Sequence, residues 1–232
     1  MLNYLILDAL IILFPFLLSF KWKFKYYKFY KPLLASIFVV GLSYIIWDAI
    51  VTYRGDWWFN KEFLSGIEII GLPIEEIMFF IVVPYACIFI YENLNYFIKE
   101  KEVFFNKWFY LALAGIFLII GLINYNQDYT ILAMFSCSLF FILAPTLYPK
   151  LLKMRNFWLY IVISFVPFMI FNYLLTSLIV VYYNPHAIWG IRITTIPLED
   201  FFYNFSMLSF YLMAYLYFKE KWNVSEKINT KK

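Results

Sequence analysis

Long apolar runs alternate with short polar connections along the whole chain. Seven of these runs are long enough to cross a lipid bilayer, and they cover residues 2–20, 33–53, 69–91, 108–124, 129–147, 157–183 and 193–218. A segment in lipid must satisfy its backbone polar groups internally, so each run is predicted to form a helix. The pattern therefore predicts an all-α integral membrane protein with seven transmembrane helices.

The composition excludes an ordinary soluble domain of 232 residues. Apolar residues make up 64% of the chain and charged residues 15%, against about 45–50% and about 25% in soluble domains. Glycine-rich phosphate loops are missing, and the single His and the two distant Cys residues give a metal site little to build with. We therefore expect neither a cofactor nor a bound metal.

The basic residues predict an orientation in the cell membrane. Sixteen of the nineteen Lys and Arg residues fall in the connections on one side of the predicted spans or in the tail, and three fall on the other side. Basic connections stay in the cytoplasm, so the N-terminus is predicted outside and the C-terminus inside. This bias accounts for the net charge of +4, and we expect no nucleic-acid partner.

The chain repeats itself at an offset of 124 residues. The matched positions include Thr52 with Thr176, Asn60 with Asn184, Gly66 with Gly190, Pro73 with Pro197 and Glu75 with Glu199. This predicts two parallel three-helix repeats joined by a connector helix, related by a pseudo-twofold axis along the membrane normal. The predicted units are repeat 1 at 1–92, a connector with the fourth span at 93–128, repeat 2 at 129–218 and a basic cytoplasmic tail at 219–232.

Acidic residues inside the predicted spans point to chemistry. They are Asp8, Asp48, Glu75, Glu76, Glu199 and Asp200, and no Lys or Arg lies well inside a span. A charged acid near mid-bilayer costs about 2.5–3.5 kcal/mol. Desolvation and a like-charged neighbour both favour the neutral form of a carboxyl group, so adjacent acids are expected to hold protons readily.

Each acid pair follows a proline by two residues and is followed by aromatic residues. Pro73 and Pro197, read as lying inside helices, would free backbone carbonyls near the acids. Asp48 and Asn172 reach a comparable depth and are predicted to support the pairs. The aromatic positions are Phe79, Phe80, Phe201, Phe202 and Tyr203. Neutral acids beside aromatic faces suit protonation of an electron-rich apolar substrate, followed by proton loss from a carbocation.

Other residues are predicted to have structural rather than chemical roles. An isolated intramembrane acid such as Asp8 is more often a hydrogen-bonding link between helices than a catalytic group. Trp57, Trp58 and Phe59 are typical of an aromatic belt at the membrane interface. Asn60 and Asn184 are predicted to cap or turn the outer loops.

Other functions share some of these features. Repeats, buried acids and broken helices also occur in proton-coupled transporters, and a carotenoid hydratase would quench the same kind of carbocation with water. A retinal-binding protein would need a Lys in the last span, which has none, and a membrane prenyltransferase would need DxxxD motifs. The transporter and the hydratase therefore remain the alternatives to an enzyme that protonates an apolar substrate and then removes a proton from the carbocation.

The segments around the acid pairs resemble a known family. Pro73-Ile-Glu-Glu-Ile-Met-Phe-Phe80 and Pro197-Leu-Glu-Asp-Phe-Phe-Tyr-Asn204 resemble the paired signature of the small membrane lycopene cyclases, in their fused single-chain form. The resemblance implies a redox-neutral isomerase that closes the ψ ends of lycopene to β-ionone rings, giving γ-carotene and then β-carotene without a flavin. It implies that Glu75, Glu76, Glu199 and Asp200 are catalytic.

The resemblance also implies supporting residues and partners. The supporting positions would be Asp48, Asn172, Pro73, Pro197 and Asn204, with the aromatic residues above lining the substrate. The substrate would be lycopene or a related acyclic carotenoid in the bilayer, and membrane lipid and other carotenoid-pathway enzymes would be further partners. Asn172 and Asp200 stand where the first repeat has Asp48 and Glu76, so the two halves are not expected to contribute equally.

Overall fold

Helices make up most of the structure, a computed structural model that describes residues 4–21 and 25–224. The helices are α1 (Tyr4–Lys21), α2 (Tyr30–Ser36), α3 (Leu42–Arg54), α4 (Ile74–Phe97), α5 (Lys107–Ile123), α6 (Asp128–Leu147), α7 (Pro149–Lys153), α8 (Arg155–Ser177) and α9 (Leu198–Lys221). A 3₁₀ turn at Tyr26–Phe29 leads into α2, and a π turn at Ile37–Gly41 connects α2 to α3. Together they form one continuous helical segment, Tyr26–Arg54.

Within the described residues, six short strands lie at one end of the helices. They are β1 (Trp57–Phe59), β2 (Glu68–Ile69), β3 (Leu72–Pro73), β4 (Val181–Tyr183), β5 (Arg192–Ile193) and β6 (Ile196–Pro197). We call this the strand end. The opposite, basic end holds the connections after α1, α4 and α6. Twelve of the fifteen described Lys and Arg residues lie in these connections, at the adjoining helix ends or at the end of α9. This separation agrees with the predicted charge bias. The assignment of the basic end to the cytoplasm stays a prediction, and part of the predicted tail, 225–232, lies outside the described residues.

Five helical segments among the described residues are long and apolar enough to cross a membrane. They are Tyr4–Lys21, Tyr26–Arg54, Ile74–Phe97, Asp128–Leu147 and Arg155–Ser177. Helix α5 is apolar but has 17 residues, and the 24 residues of α9 include charged residues at both ends. The chain is therefore a helical membrane protein, and the count of seven spans stays a prediction.

Three predicted spans include residues that are not helical. The spans 69–91 and 193–218 begin in hairpins, and their helices start at Ile74 and Leu198. The span 157–183 ends as a helix at Ser177 and continues into β4. Apolar strand residues extend the hydrophobic run of the neighbouring helix, so hydropathy alone places the boundary too far into the strand region.

The pairing of β1 with β4 carries the symmetry of the two repeats. The strands are antiparallel, and Trp58 lies directly opposite Tyr182, its equivalent at the 124-residue offset. On either side, Trp57 pairs with Tyr183 and Phe59 pairs with Val181. At the same offset Trp57 is equivalent to Val181 and Phe59 to Tyr183, so the symmetry converts each flanking pair into the other. Such a register places a twofold axis through the centre of the strand pair, as the internal repeat predicts.

Two equivalent hairpins precede helices α4 and α9. Strand β2 pairs with β3 and β5 with β6 in registers that again differ by 124 residues. Pro73 and Pro197 end these hairpins with nearly identical backbone angles and immediately precede the helices. Proline tolerates this position because the first helical N–H groups have no partner within the helix. The prediction that the two prolines open turns inside helices is therefore wrong.

A buried ion pair joins the repeats at the basic end. The Lys219 ammonium of α9 donates to the Glu92 carboxylate of α4 at 2.5 Å, and the Tyr215 hydroxyl donates to the same carboxylate at 2.7 Å. Glu92 is buried, although it lies just beyond the predicted end of its span. At the strand end, Arg54 forms an ion pair with the buried Asp56 and lies 3.7 Å from Asp128. None of the six acids predicted inside the spans has a Lys or Arg partner among the described residues.

Candidate active site

A cavity of about 600 Å³ runs between α1, α4, α8 and α9. Its polar part lies at the strand end and is lined by Tyr4, Trp57, Glu76, Tyr129, Asn172, Tyr183, Asp200 and Asn204. Towards the basic end the lining is apolar and aromatic except for Asn93 and Ser164. The second acid of each pair, Glu76 from repeat 1 and Asp200 from repeat 2, therefore faces one shared cavity.

Two carboxyl groups of repeat 1 lie side by side at the polar part of the cavity. The indole N–H of Trp57 donates to Asp48 Oδ1 at 2.9 Å, and the Tyr4 hydroxyl donates to Glu76 Oε2 at 2.8 Å. The two carboxyl groups are within hydrogen-bonding reach of each other. Asp48 Oδ2 has no other partner among the described residues. Because two carboxylates cannot bond to each other without a proton, this pair suits a shared proton.

Repeat 2 surrounds its cavity acid with hydrogen-bond donors instead. Asp200 accepts from the Tyr129 hydroxyl at 2.6 Å, the Asn172 amide at 2.8 Å and the Tyr183 hydroxyl at 2.8 Å. Burial and the neighbouring Asp200 raise the pKa of Tyr183, so this phenol stays a neutral donor. Three donors on one carboxyl group stabilise its ionised form. Asp48 and Asn172 thus both contact the acids that the sequence predicts they support.

The first acid of each pair makes different contacts from the second. Glu75 accepts the backbone N–H of Ser65 at 2.5 Å, and Glu199 accepts the backbone N–H of Trp189 at 2.5 Å. Both carboxyl groups are fully buried and neither lines the cavity. Glu75 and Glu199 are equivalent at the 124-residue offset, and so are Ser65 and Trp189. This geometry anchors the loop before each hairpin to the first turn of the following helix.

Asp8 lies in the same acidic region without hydrogen bonds. It is buried on α1, near Glu75, and neither carboxyl oxygen has a partner among the described residues. The hydrogen-bonded link between helices that we expect for an isolated acid is therefore missing here. A buried carboxyl group without donors favours its neutral form.

The predicted aromatic lining is only partly assembled. Phe79 and Tyr203 line the cavity. Phe80 is buried in the helix core, Phe201 packs against Phe165 and Phe168, and Phe202 packs against Phe117 and Trp189. Consecutive residues on a helix point in different directions, so a run of three aromatic residues cannot face one cavity.

Several residues at the site escaped the sequence analysis. They are Tyr4, Tyr129, Thr130 and Tyr183, together with Trp57, which was assigned to an interfacial belt. Trp57 is instead buried, and the β1–β4 pairing places it opposite Tyr183. Thr130 donates to Glu199 at 2.7 Å. Asn60 and Asn184 do accept N–H bonds within their loops, as predicted.

Comparison with known families agrees with this arrangement. The sequence model of the lycopene cyclase family matches the chain twice, at residues 2–94 and 126–218. The two matched segments start 124 residues apart and together cover more than half of the chain. The chain belongs to the lycopene cyclase family.

Membership of the lycopene cyclase family implies an enzyme of carotenoid biosynthesis with a carotenoid substrate. The two matches correspond to the two repeats, which agrees with a fused, single-chain cyclase. No curated protein and no solved structure gives a significant match to the chain. The assignment of individual residues therefore rests on the geometry described above.

Proposed function

We propose that this lycopene cyclase closes the ψ ends of lycopene to β-ionone rings, forming γ-carotene and then β-carotene. One observation carries the proposal: carboxyl groups from both repeats, Glu76 and Asp200, face one largely apolar, aromatic cavity. Such a cavity excludes water and accepts a hydrocarbon. It also offers two acidic groups in different environments, as acid–base chemistry requires.

The first step is protonation of the terminal double bond of the substrate. The Asp48–Glu76 pair is the proton donor, since two adjacent carboxyl groups retain a shared proton. Glu76 is the member that lines the cavity and delivers the proton. The resulting tertiary carbocation is attacked by the next double bond, which forms the ring carbon–carbon bond and moves the positive charge into the ring.

The second step is loss of a proton from the cyclic cation. The Asp200 carboxylate, held by Tyr129, Asn172 and Tyr183, stabilises the cation and accepts this proton. One proton enters and one leaves per ring, so the reaction consumes no oxidant or reductant. The aromatic faces of Phe79 and Tyr203 add cation–π stabilisation in a site without bulk water.

Expression in a lycopene-accumulating bacterium tests this function. Chromatography of the pigments is expected to show one- and two-ring carotenoids with β-ionone ends. A tertiary alcohol would indicate a hydratase instead. Unchanged lycopene in membranes that contain well-folded protein would contradict any cyclase function.

A further inference from the structure

We propose that the enzyme closes one end of the carotenoid each time the carotenoid binds in the cavity between α1, α4, α8 and α9, which we call the slot. The one-ring product is then released into the bilayer before the second end reacts. This inference rests on the proposed function. It concerns how the two ends of a symmetric substrate share a protein built from two repeats.

The repeats do not form two equivalent slots. Ala86 and Cys87 of α4 line the cavity, and at the 124-residue offset α9 has Phe210 and Tyr211. The Tyr211 ring stacks on Tyr44 at 6.4 Å, and its hydroxyl donates to the backbone carbonyl of Phe80 at 2.9 Å. Large side chains therefore fill the volume that small ones leave open on the other side of the pseudo-twofold axis.

The slot is long and has reactive groups at one end only. Its lining on α4 extends from Glu76 to Phe97, which corresponds to about 32 Å of helix at 1.5 Å per residue. This length matches the roughly 30 Å hydrocarbon thickness of a bilayer. Near the basic end, the buried acid Glu92 bonds to Lys219 and Tyr215 and does not line the slot.

The slot opens towards lipid between α1 and α8. Phe14 of α1 and Ile163 of α8 both line it, yet they are 66% and 38% exposed. The same two helices meet nearer the strand end, where Leu7 and Leu175 belong to one buried cluster. This geometry provides an opening to lipid halfway along the slot, which we call the lateral mouth. Between the lateral mouth and the acids, the contact of α1 with α8 closes the slot.

A stiff polyene inside this slot presents one end to Glu76 and Asp200. Its other end lies towards the basic end, out of reach of both carboxyl groups. A conjugated chain as long as the slot cannot turn end for end inside it. The one-ring product must therefore leave through the lateral mouth and bind again in the opposite direction before the second ring forms.

An isotope chase in membranes that contain the full chain tests this release. Membranes receive ¹³C-labelled lycopene, followed during turnover by an excess of unlabelled one-ring carotenoid. Release between the two closures predicts that labelled two-ring product falls in proportion to the isotopic dilution. Labelled two-ring product that is unaffected by the chase would overturn the proposal, whereas absence of any ring would contradict the proposed function instead.

Paired variants test the mouth separately. Ile163→Trp narrows the opening, whereas Val162→Trp places the same side chain on the neighbouring, lipid-exposed position, which does not line the slot. We expect Ile163→Trp to lower severalfold the rate of ring formation at low lycopene content, because the substrate enters through this opening. It should lower the yield of two-ring product further, because the one-ring product leaves and binds again by the same route. Equal behaviour of the two variants would overturn the lateral route.

Discussion

The two repeats share a backbone plan but surround their cavity acids differently. In repeat 1, Glu76 lies against a second carboxyl group, that of Asp48. In repeat 2, Asp200 accepts one hydrogen bond from the side-chain amide of Asn172 and two from the hydroxyls of Tyr129 and Tyr183. A neighbouring carboxyl group favours the neutral form of Glu76, whereas the hydrogen-bond donors favour the charged form of Asp200, so the two sets of contacts act in opposite directions. The two repeats thus share one backbone arrangement, and substitutions at equivalent positions give the two acids different surroundings. The proposed division into proton donor and proton acceptor rests on this difference.

The same lesson applies to the volume beside the acids. Ala86 and Cys87 in α4 leave a slot, while Phe210 and Tyr211 in α9 fill the corresponding space. Both helices are 24 residues long and start at equivalent positions. The backbone is therefore nearly symmetric while the cavity is not. The following substitutions test whether each difference between the repeats matters for catalysis.

Glu76→Gln is expected to cause the largest loss. Glutamine keeps the size of the side chain and can still accept the Tyr4 hydroxyl, but it cannot donate an acidic proton. Loss of a general acid lowers rates by about 10²–10⁴-fold. The measurement is the initial rate of ring formation per folded protein in membranes. Glu68→Gln, on an exposed strand position, is the control and should retain activity; a Glu76→Gln rate near that of the control would remove Glu76 from the mechanism.

Cys87→Tyr should come next. It introduces into α4 the side chain that α9 carries at the equivalent position, Tyr211, and so fills the slot. Displacement of a substrate by about 1 Å can reduce the rate by about 10²-fold, and we expect a loss of that size. Ile81→Tyr is the matched control, because Ile81 is exposed on the same helix and does not line the slot. Activity of Cys87→Tyr equal to that of Ile81→Tyr would show that substrate binds elsewhere.

The sequence contained enough information for the repeat, the helices and the acidic residues. Asn, Pro and paired acids recur in register, and the family matches begin at the same offset. The strands were missed for a physical reason. Strand β1 has three residues and pairs with β4 across more than 120 residues of chain, and strands this short give too little alternation to detect.

The different positions of the two acids within each pair could not be predicted either. Glu75 and Glu76 are chemically alike and adjacent in sequence, yet one faces a backbone N–H and the other faces the cavity. Their separation depends on where the helix begins, and hydropathy placed that point several residues too early. The phenols Tyr129 and Tyr183 were hidden among the 21 tyrosines of the chain, since their contact with Asp200 depends on tertiary packing.

Asp48→Asn makes repeat 1 resemble repeat 2 and should have an intermediate effect. The new amide can donate to Glu76 as Asn172 donates to Asp200, which favours the charged form of Glu76 and weakens it as a proton donor. A hydrogen bond to a charged group is worth about 1.5–3 kcal/mol, so we expect ring formation to fall by about 10- to 150-fold. The reciprocal change, Asn172→Asp, should not restore activity to Asp48→Asn, because it places a new acid beside Asp200. Recovery in the double variant would show that the two sides of the cavity are interchangeable.

Glu75→Gln and Glu199→Gln should have the smallest effect on the chemistry. The amide oxygen of glutamine can still accept the backbone N–H of Ser65 or Trp189, so each loop stays anchored and ring formation should change by less than about threefold, within the energy of one neutral hydrogen bond. Glu75→Ala and Glu199→Ala leave these N–H groups without their acceptor, at a cost of about 1–3 kcal/mol in stability, and should lower the temperature at which the protein loses its fold in detergent. A loss of ring formation in the glutamine variants as large as that of Glu76→Gln would show that acidity at positions 75 and 199 matters directly. The two acids of each pair would then act together rather than divide anchoring from proton transfer.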